Sequence, residues 1–345
     1  MSKYSENRIL AGDIGGTKTA VGIFTRTGDR PEASVIETFD SRNADGLESI
    51  IDRFLQDHSD GGRENDLQAA CFGVAGPVDQ GRCKATNLPW VISENAVQDR
   101  FGWKKVRLIN DLTAVGYGVP LLTGEEIQEL NAGEPRQKGN LGLVAPGTGL
   151  GMSLLVWCGE GYMPLASEGG HVDFGPNGPE DISLWEYLRK KFGHVSPERI
   201  VSGPGLVNVY EWLKSTGRYG EPEWLQKEVE KGDPARIISE TAIARKAPIC
   251  EAALDRFMMA FGAVAGNLAL IGMTRGGMYL GGGIPAKILP KFEEEIFMRS
   301  FTAKGRFEEL MTRIPVYIIL NHQIGLMGAA ERAFMDLATS PQSSP

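Results

Sequence analysis

The sequence has little with which to cross-link itself or to ligate metal: four cysteines and four histidines in 345 residues. Cys71, Cys83, Cys158 and Cys250 are widely spaced, with no CxxC pair and no Cys/His cluster. That argues against a structural zinc site and fits a reduced, cytoplasmic compartment. Positive charge is also short. Lys and Arg number 36 against 44 Asp and Glu, a net charge of −8. Phosphate backbones and anionic lipid surfaces need concentrated positive charge, so neither nucleic-acid nor membrane binding is expected. A small phosphorylated ligand stays open, because backbone N–H groups hold phosphate without net charge. Met1–Asn7 lacks the basic-then-apolar pattern of a secretory signal. Low-complexity sequence is confined to the tail Ser340–Pro345, which is expected to fray.

What the sequence has in excess is glycine: 44 residues, about 13% against a usual ~7%. No collagen-like period accompanies it, so the glycines point to loops where backbone approaches a ligand. Hydrophobic residues at 42% and charged residues at 23% fit a soluble globular chain, and the length suggests about two domains. Two uncharged stretches could be mistaken for membrane spans. Gly139–Gly159 is broken by glycines and Pro146 and reads as strand–turn–strand. Phe257–Thr274 reads as a buried helix whose Gly262 and Gly266 allow close helix packing.

Along the chain, residues 8–24 predict a hairpin turning at Asp13-Ile14-Gly15-Gly16-Thr17. Asp45–Gln56 predicts an amphipathic helix with Asp45 as N-cap. Ala69–Val74 and Lys105–Ile109 predict strands, the second followed by a helix from Leu112 to about Leu122. Strand and helix thus alternate, which predicts an α/β layer with a mixed sheet. Polar Gly124–Gly139 marks a boundary between lobes. Asn140–Val156 then predicts a second hairpin around Pro146-Gly147-Thr148-Gly149-Leu150-Gly151, with the same logic as the first. Short helices are expected at Leu184–Phe192 and Gly205–Lys214, and an exposed polar stretch at Pro222–Asp233. Two helices are expected within Ala235–Met273, a strand over Met278–Gly283 and a helix beginning in Pro285–Phe297. Val316–Leu320 closes the strands. A last helix, Gln323–Leu337, is expected to return to the first lobe.

Several constellations could carry chemistry. Asp13 precedes a glycine turn that can expose N–H groups to an anion, and a carboxylate there can hold hydrated Mg²⁺. Gly147–Gly151 is neither a Walker loop nor a dinucleotide fingerprint, which leaves a phosphate cradle or a plain turn. Gly281-Gly282-Gly283 ends a strand before a helix, where bare backbone could admit a base or ribose. Asn110-Asp111 stands at a strand's carboxyl end; a base for a hydroxyl proton is one reading, and from the dipeptide alone a helix N-cap is the plainer one. Glu168-Gly169-Gly170-His171 sets two hydrogen-bonding side chains around a flexible pair, which suits a polyhydroxylated ligand. Glu198 reads as a first-turn residue favoured by the helix dipole. Lys18 and Lys304-Gly305-Arg306 read as solvated basic residues.

Taken together, AGDIGGTK (Ala11–Lys18), INDLTAV (Ile109–Val115), APGTGLG (Ala145–Gly151), SEGGHVDF (Ser167–Phe174), GHVSPERIVSGPGLVN (Gly193–Asn208), GGMYLGGGI (Gly276–Ile284) and KGRF (Lys304–Phe307) resemble the bacterial glucokinase family. This is the non-ROK group of the hexokinase and actin-like superfamily. The resemblance implies an α/β, two-lobed ribonuclease-H-like (actin/hexokinase-like) fold with an interlobe cleft. The small α/β domain would comprise residues 1–121 plus 321–345, and the large one 122–320. It implies transfer of the ATP γ-phosphoryl group to the 6-hydroxyl of glucose, with Asp111 as catalytic base. Asn110, Glu168, His171 and Glu198 would hold sugar hydroxyls. Asp13 would assist Mg²⁺. Gly15, Gly16 and Thr17, with Gly147, Thr148, Gly149 and Gly151, would cradle phosphates, and Gly281, Gly282 and Gly283 would border the adenosine. A homodimer is the family-level expectation.

ROK kinases carry a Cys-rich zinc loop near the catalytic His, and no such cysteines follow His171. No helical DNA-binding module precedes Asp13, so a sugar-responsive repressor is not expected. Two competing classes are a non-catalytic sugar or nucleotide sensor and an actin- or chaperone-like ATPase. An intact Asp111 disfavours the first, and the hydroxyl-binding set at 168–198 disfavours the second.

Overall fold

Ile9, Leu10 and Ala11 are completely buried, because their strand is covered on both faces. That strand, β1 (Arg8–Ile14), is the centre of the first sheet in the computed structural model, which describes residues 8–58, 66–85 and 88–338. The segment Met1–Asn7 and the expected frayed tail lie outside those residues. The chain divides into two compact units. Unit 1 comprises Met1–Thr123, Tyr162–Ala166 and Asn321–Pro345; unit 2 comprises Gly124–Gly161 and Ser167–Leu320.

In unit 1, β1 is followed by β2 (Lys18–Thr27), β3 (Arg30–Asp40), α1 (Leu47–Asp57) and β4 (Leu67–Val74). A small antiparallel sheet, β5 (Val78–Asp79), β6 (Arg82–Lys84) and β7 (Val91–Ser93), leads to α2 (Glu94–Phe101), β8 (Lys105–Asn110) and α3 (Asp111–Gly118). The main sheet has the order β3-β2-β1-β4-β8; β1 to β3 are antiparallel neighbours, and β1, β4 and β8 run parallel. One face packs on α1 through Leu47, Ile50, Ile51 and Phe54, a helical spacing that puts them on one stripe. Burying each such side chain stabilises the fold by about 1.5–3 kcal/mol. The other face is covered by Leu326, Ala329, Ala330, Ala333 and Phe334 from the returning C-terminal helix.

Unit 2 opens with β9 (Ile127–Asn131), β10 (Leu141–Pro146) and β11 (Leu150–Trp157); β12 (Tyr162–Leu165) falls within unit 1. Helices α4 (Pro179–Phe192), α5 (Gly203–Ser215), α6 (Glu223–Lys231), α7 (Pro234–Ile243) and α8 (Pro248–Gly272) follow. Then come β13 (Gly277–Leu280), α9 (Leu289–Phe292), α10 (Ile296–Thr302), α11 (Glu308–Thr312) and β14 (Val316–Ile319). The chain re-enters unit 1 as α12 (Ile324–Ala338). Within unit 2 the strands are ordered β11-β10-β13-β14-β9, with β10, β13 and β14 parallel. Both units therefore build the same motif: an antiparallel hairpin whose first strand is joined by two further parallel strands. The repeat suggested by the two glycine hairpins extends to the sheets around them.

The uncharged stretch near residue 260 lies in α8, long and apolar enough by composition to cross a membrane. It is the core helix of unit 2, with Phe257, Met258, Phe261 and Ala265 fully buried. Its small residues admit α10 at backbone contact: a methyl on Gly262 would lie 2.2 Å from the Phe297 carbonyl oxygen, and one on Gly266 2.5 Å from that of Phe301.

Other expectations are corrected. The first helix is capped by Gly46, not Asp45, and Gly46 contributes only its carbonyl, to Ile50 N–H. Pro222–Asp233 is mostly exposed, as expected, but it carries a helix the sequence pattern does not announce: α6 forms there because Leu225 is buried and Val229, one turn on, packs on the core. The helix expected from Pro285 is split into a 3-10 turn, α9 and α10, and Glu295, with a left-handed φ of 60°, separates α9 from α10. Lys304 is not solvated: its Nζ donates to Ala263 O (2.9 Å) and Asn267 Oδ1 (2.8 Å) on α8.

Candidate active site

Unit 1 gathers its candidate residues at the carboxyl ends of β1 and β8. Asp13 is the penultimate residue of β1, and Asp111 is the first residue of α3, immediately after β8. Between their strands runs β4, whose Gly73 is in register with Asp13. A methyl on Gly73 would lie 2.9 Å from Ala114 Cβ and 3.7 Å from Asp111 Cα, so the strand between the carboxylates has to be bare here. Burial, and then the neighbouring Asp111 charge, push the Asp13 carboxyl up from 3.8 to about 6. The first turn of α12 closes this corner, since a methyl on Gly325 would come within 3.1 Å of Asp13 Oδ2.

Asn110 is the N-cap of α3. Its Oδ1 accepts from Leu112 N–H (3.0 Å) and Thr113 N–H (3.3 Å), and its Nδ2 donates to Gly76 O (3.3 Å). The plainer reading of the dipeptide thus holds for Asn110, which retains one amide hydrogen for a ligand. Asp111 Oδ1 accepts from Leu112 N–H at 2.8 Å, in the first turn of α3.

The first glycine turn is not uniformly open to an anion. Gly15 N–H is taken by Lys18 O at 2.9 Å, which leaves Gly16 and Thr17 as its candidate donors. Ser41, at 0% exposure, sits behind the turn and was not legible in any local pattern. Thr19 beneath it is equally buried, and Lys18 is exposed.

Unit 2 gathers a second group at the carboxyl ends of the parallel strands β10 and β13. In the turn between β10 and β11, Gly147 N–H is taken by Gly149 O (2.8 Å), which leaves Thr148 and Gly149 as candidate donors. Gly151 lies within β11, opposite Ala145. After β13, Gly281 N–H bonds Val144 O (2.9 Å) and Ile284 N–H bonds Pro146 O (3.4 Å), so the triple-glycine turn lies along the end of β10. Gly282 has φ 79°, and a methyl there would strike Pro146 O at 2.5 Å.

Glu198, in a 3-10 turn (Pro197–Arg199), reaches the same place. Its Oε2 accepts from Leu150 N–H at 3.0 Å and lies 3.8 Å from His171 Nε2. What the sequence offered as a helix-dipole residue is therefore bonded to the glycine turn. Its backbone is fixed by Ser202, whose hydroxyl donates to Glu198 O (2.7 Å) and accepts from Gly205 N–H (2.9 Å), capping α5. Gly203 N–H in turn holds Gly147 O at 2.8 Å. Glu168 and His171 flank a 3-10 turn (Gly169–His171), and both are exposed. A methyl on Gly170 would lie 2.0 Å from Leu150 O, so this turn can approach β11 only through glycine. His194, paired with Asp173 (3.4 Å), holds the His171 carbonyl at 2.9 Å. Among the described residues no group of three or more His, Cys, Asp or Glu side chains converges as a metal cage.

Solved structures share this arrangement. A glucokinase from an Antarctic psychrotroph superposes with a TM-score of 0.84 at 28% identity, covering 95% of this chain and 99% of that one. A glucokinase from Balamuthia mandrillaris in complex with glucose shares the fold, with a TM-score of 0.76 at 24% identity over 95% and 94% of the two chains. Two α/β lobes of this topology, with carboxylates at the strand ends of one and a glycine-lined turn in each, define an ATP-dependent sugar kinase of the actin-like class. Sequence comparison narrows the class. The Glucokinase family model matches residues 10–335, and a glucokinase of Nostoc punctiforme is 38% identical over 337 residues, 93% of this chain and 97% of its own length. The chain belongs to the glucokinase family.

Proposed function

We propose that the protein transfers the γ-phosphoryl group of ATP to the 6-hydroxyl of glucose, releasing glucose 6-phosphate and ADP. The observation that carries this reading is the pair of carboxylates, Asp13 and Asp111, at the carboxyl ends of β1 and β8 beside a glycine turn, near enough for the Asp111 charge to act on Asp13. Asp111 orients the sugar hydroxyl and takes its proton as the new O6–P bond forms. The bond from the γ-phosphorus to the β,γ-bridging oxygen breaks, and ADP leaves with the electron pair. Such transfers need positioning and charge stabilisation more than covalent chemistry. The amides of Gly16 and Thr17 in unit 1, and those of Thr148 and Gly149 in unit 2, are the donors for phosphate oxygens of ATP. Gly281–Gly283 borders the adenosine. Asn110, Glu168, His171 and Glu198 hold sugar hydroxyls, with Glu198 also fixing the Leu150 amide.

Mg²⁺ fits the residues present. Asp13 is buried and feels the Asp111 charge, both of which raise its pKa, so a cation beside it would relieve an unfavourable negative charge; magnesium takes few protein ligands while keeping its water. Asp13 would hold it, and its chemistry is to neutralise charge on the transferring phosphoryl group. A cytoplasmic homodimer belongs to the same proposal, supported by family resemblance.

The deciding experiment is ADP release with ATP and Mg²⁺ across glucose, mannose, galactose, fructose and N-acetylglucosamine. Glucose is expected to give the highest kcat/KM, because a site built to bond each hydroxyl rejects an epimer that misplaces one. Another sugar in first place overturns the glucose assignment, and sugar-independent ATP hydrolysis overturns the kinase mechanism.

A further inference from the structure

Ser41 is completely buried at the end of β3, and it is bonded to the first glycine turn at two carbonyls. Its Oγ donates to Gly15 O at 2.8 Å, and its N–H donates to Thr17 O at 2.9 Å. Thr19 Oγ1 lies 2.9 Å from Ser41 Oγ. The Ser41 proton is committed to Gly15 O, so Thr19 is the donor in that contact. The result is a buried chain, Thr19 O–H to Ser41 O–H to Gly15 C=O, in which each bond polarises the next.

This chain fixes a direction. A trans peptide holds its C=O and N–H antiparallel, and no cis bond occurs among the described residues. Drawing the Gly15 carbonyl inward to Ser41 therefore aims the N–H of the same peptide, that of Gly16, outward from the turn. Without the hydroxyl, a flexible Gly-Gly peptide can flip and present its carbonyl oxygen to an anion instead.

We infer that Ser41, relayed by Thr19, is a positioning residue for nucleotide: it sets the Gly15–Gly16 peptide so that Gly16 N–H faces the phosphates of ATP. The inference rests on reading the first glycine turn as a phosphate site, and the test separates the two. In Ser41→Ala, KM for ATP should rise about fivefold, the weight of a typical buried hydrogen bond, with KM for glucose unchanged. Thr19→Val keeps the shape and leaves Ser41 its own proton, so it should raise KM for ATP about twofold. Ser41→Cys, a donor of similar size, should recover part of the loss. In the wild type, the Gly16 amide resonance should shift on adding ATP and Mg²⁺ without sugar. A Gly16 resonance that stays still overturns the phosphate-turn reading and this inference with it. A shifting Gly16 with an unchanged KM for ATP in Ser41→Ala overturns the role of Ser41 alone. Equal rises in KM for ATP and for glucose would show a general loosening and would also overturn it.

Discussion

The two glycine hairpins look alike in sequence and are held in different ways. In unit 1 the residues Gly15–Lys18 join paired strands whose last register pair is Ile14 and Thr19. In unit 2 the loop is one residue shorter, Gly147–Gly149, between Pro146 and Leu150. The first turn is fixed from behind by neutral, wholly buried hydroxyls, Thr19 on β2 and Ser41 in the 3-10 turn that follows β3. The second is fixed by a charged carboxylate from another element, Glu198, and by the first turn of α5. A hydroxyl brace is insulated from what binds in front of it. A carboxylate brace that also holds sugar, the role proposed for Glu198, would not be, and the second turn would then couple one substrate to the other.

The comparison can be broken at three places. The largest effect belongs to Asp111→Ala, which should lower kcat about a thousandfold, the scale of general-base catalysis, with little change in KM for ATP. Near-normal turnover in steady-state assays would remove the carboxylate from the mechanism. Glu198→Gln should be intermediate and two-sided. Losing a charge-assisted bond should raise KM about tenfold for glucose and also raise that for ATP, in contrast to Ser41→Ala. A rise for glucose only would mean that the Leu150 bond is idle. The smallest effect is on stability. The folded state raises the Asp13 pKa from 3.8 to about 6, so its carboxyl favours folding when protonated and that contribution is lost as pH rises through 4 to 6. Asp13→Asn, with chelator present, should therefore melt above the wild type at pH 7.5, and the gap should close towards pH 4 while phosphoryl transfer falls. A gap that does not change with pH would contradict the burial of the Asp13 carboxyl.

Much of the fold was legible. Apolar strands broken by Gly-Thr turns announced both hairpins, and the apolar stripe Leu47, Ile50, Ile51 and Phe54 announced α1. Elements held by few apolar residues were not: α6 rests on Leu225 and Val229, too thin a pattern to outweigh its polar neighbours. The site followed the same logic. Asp13, Asp111 and the glycine turns stand at strand ends, which a pattern can mark. Ser41 and Glu198 reach their turns across 26 and 48 residues, where periodicity carries no signal. The KGRF lysine was misread for the same reason, since its partners lie on α8.

The return of α12 has a consequence for biosynthesis. Arg26 of β2 pairs with Glu331 across 305 residues of sequence, and Gly325 packs against Asp13. As the chain leaves the ribosome, the sheet bearing the first glycine hairpin is made early but is covered only after everything in unit 2 has been translated. Its apolar face must wait in the interim, and a message truncated before α12 would yield a polypeptide with all of unit 2 but an open, aggregation-prone sheet in unit 1.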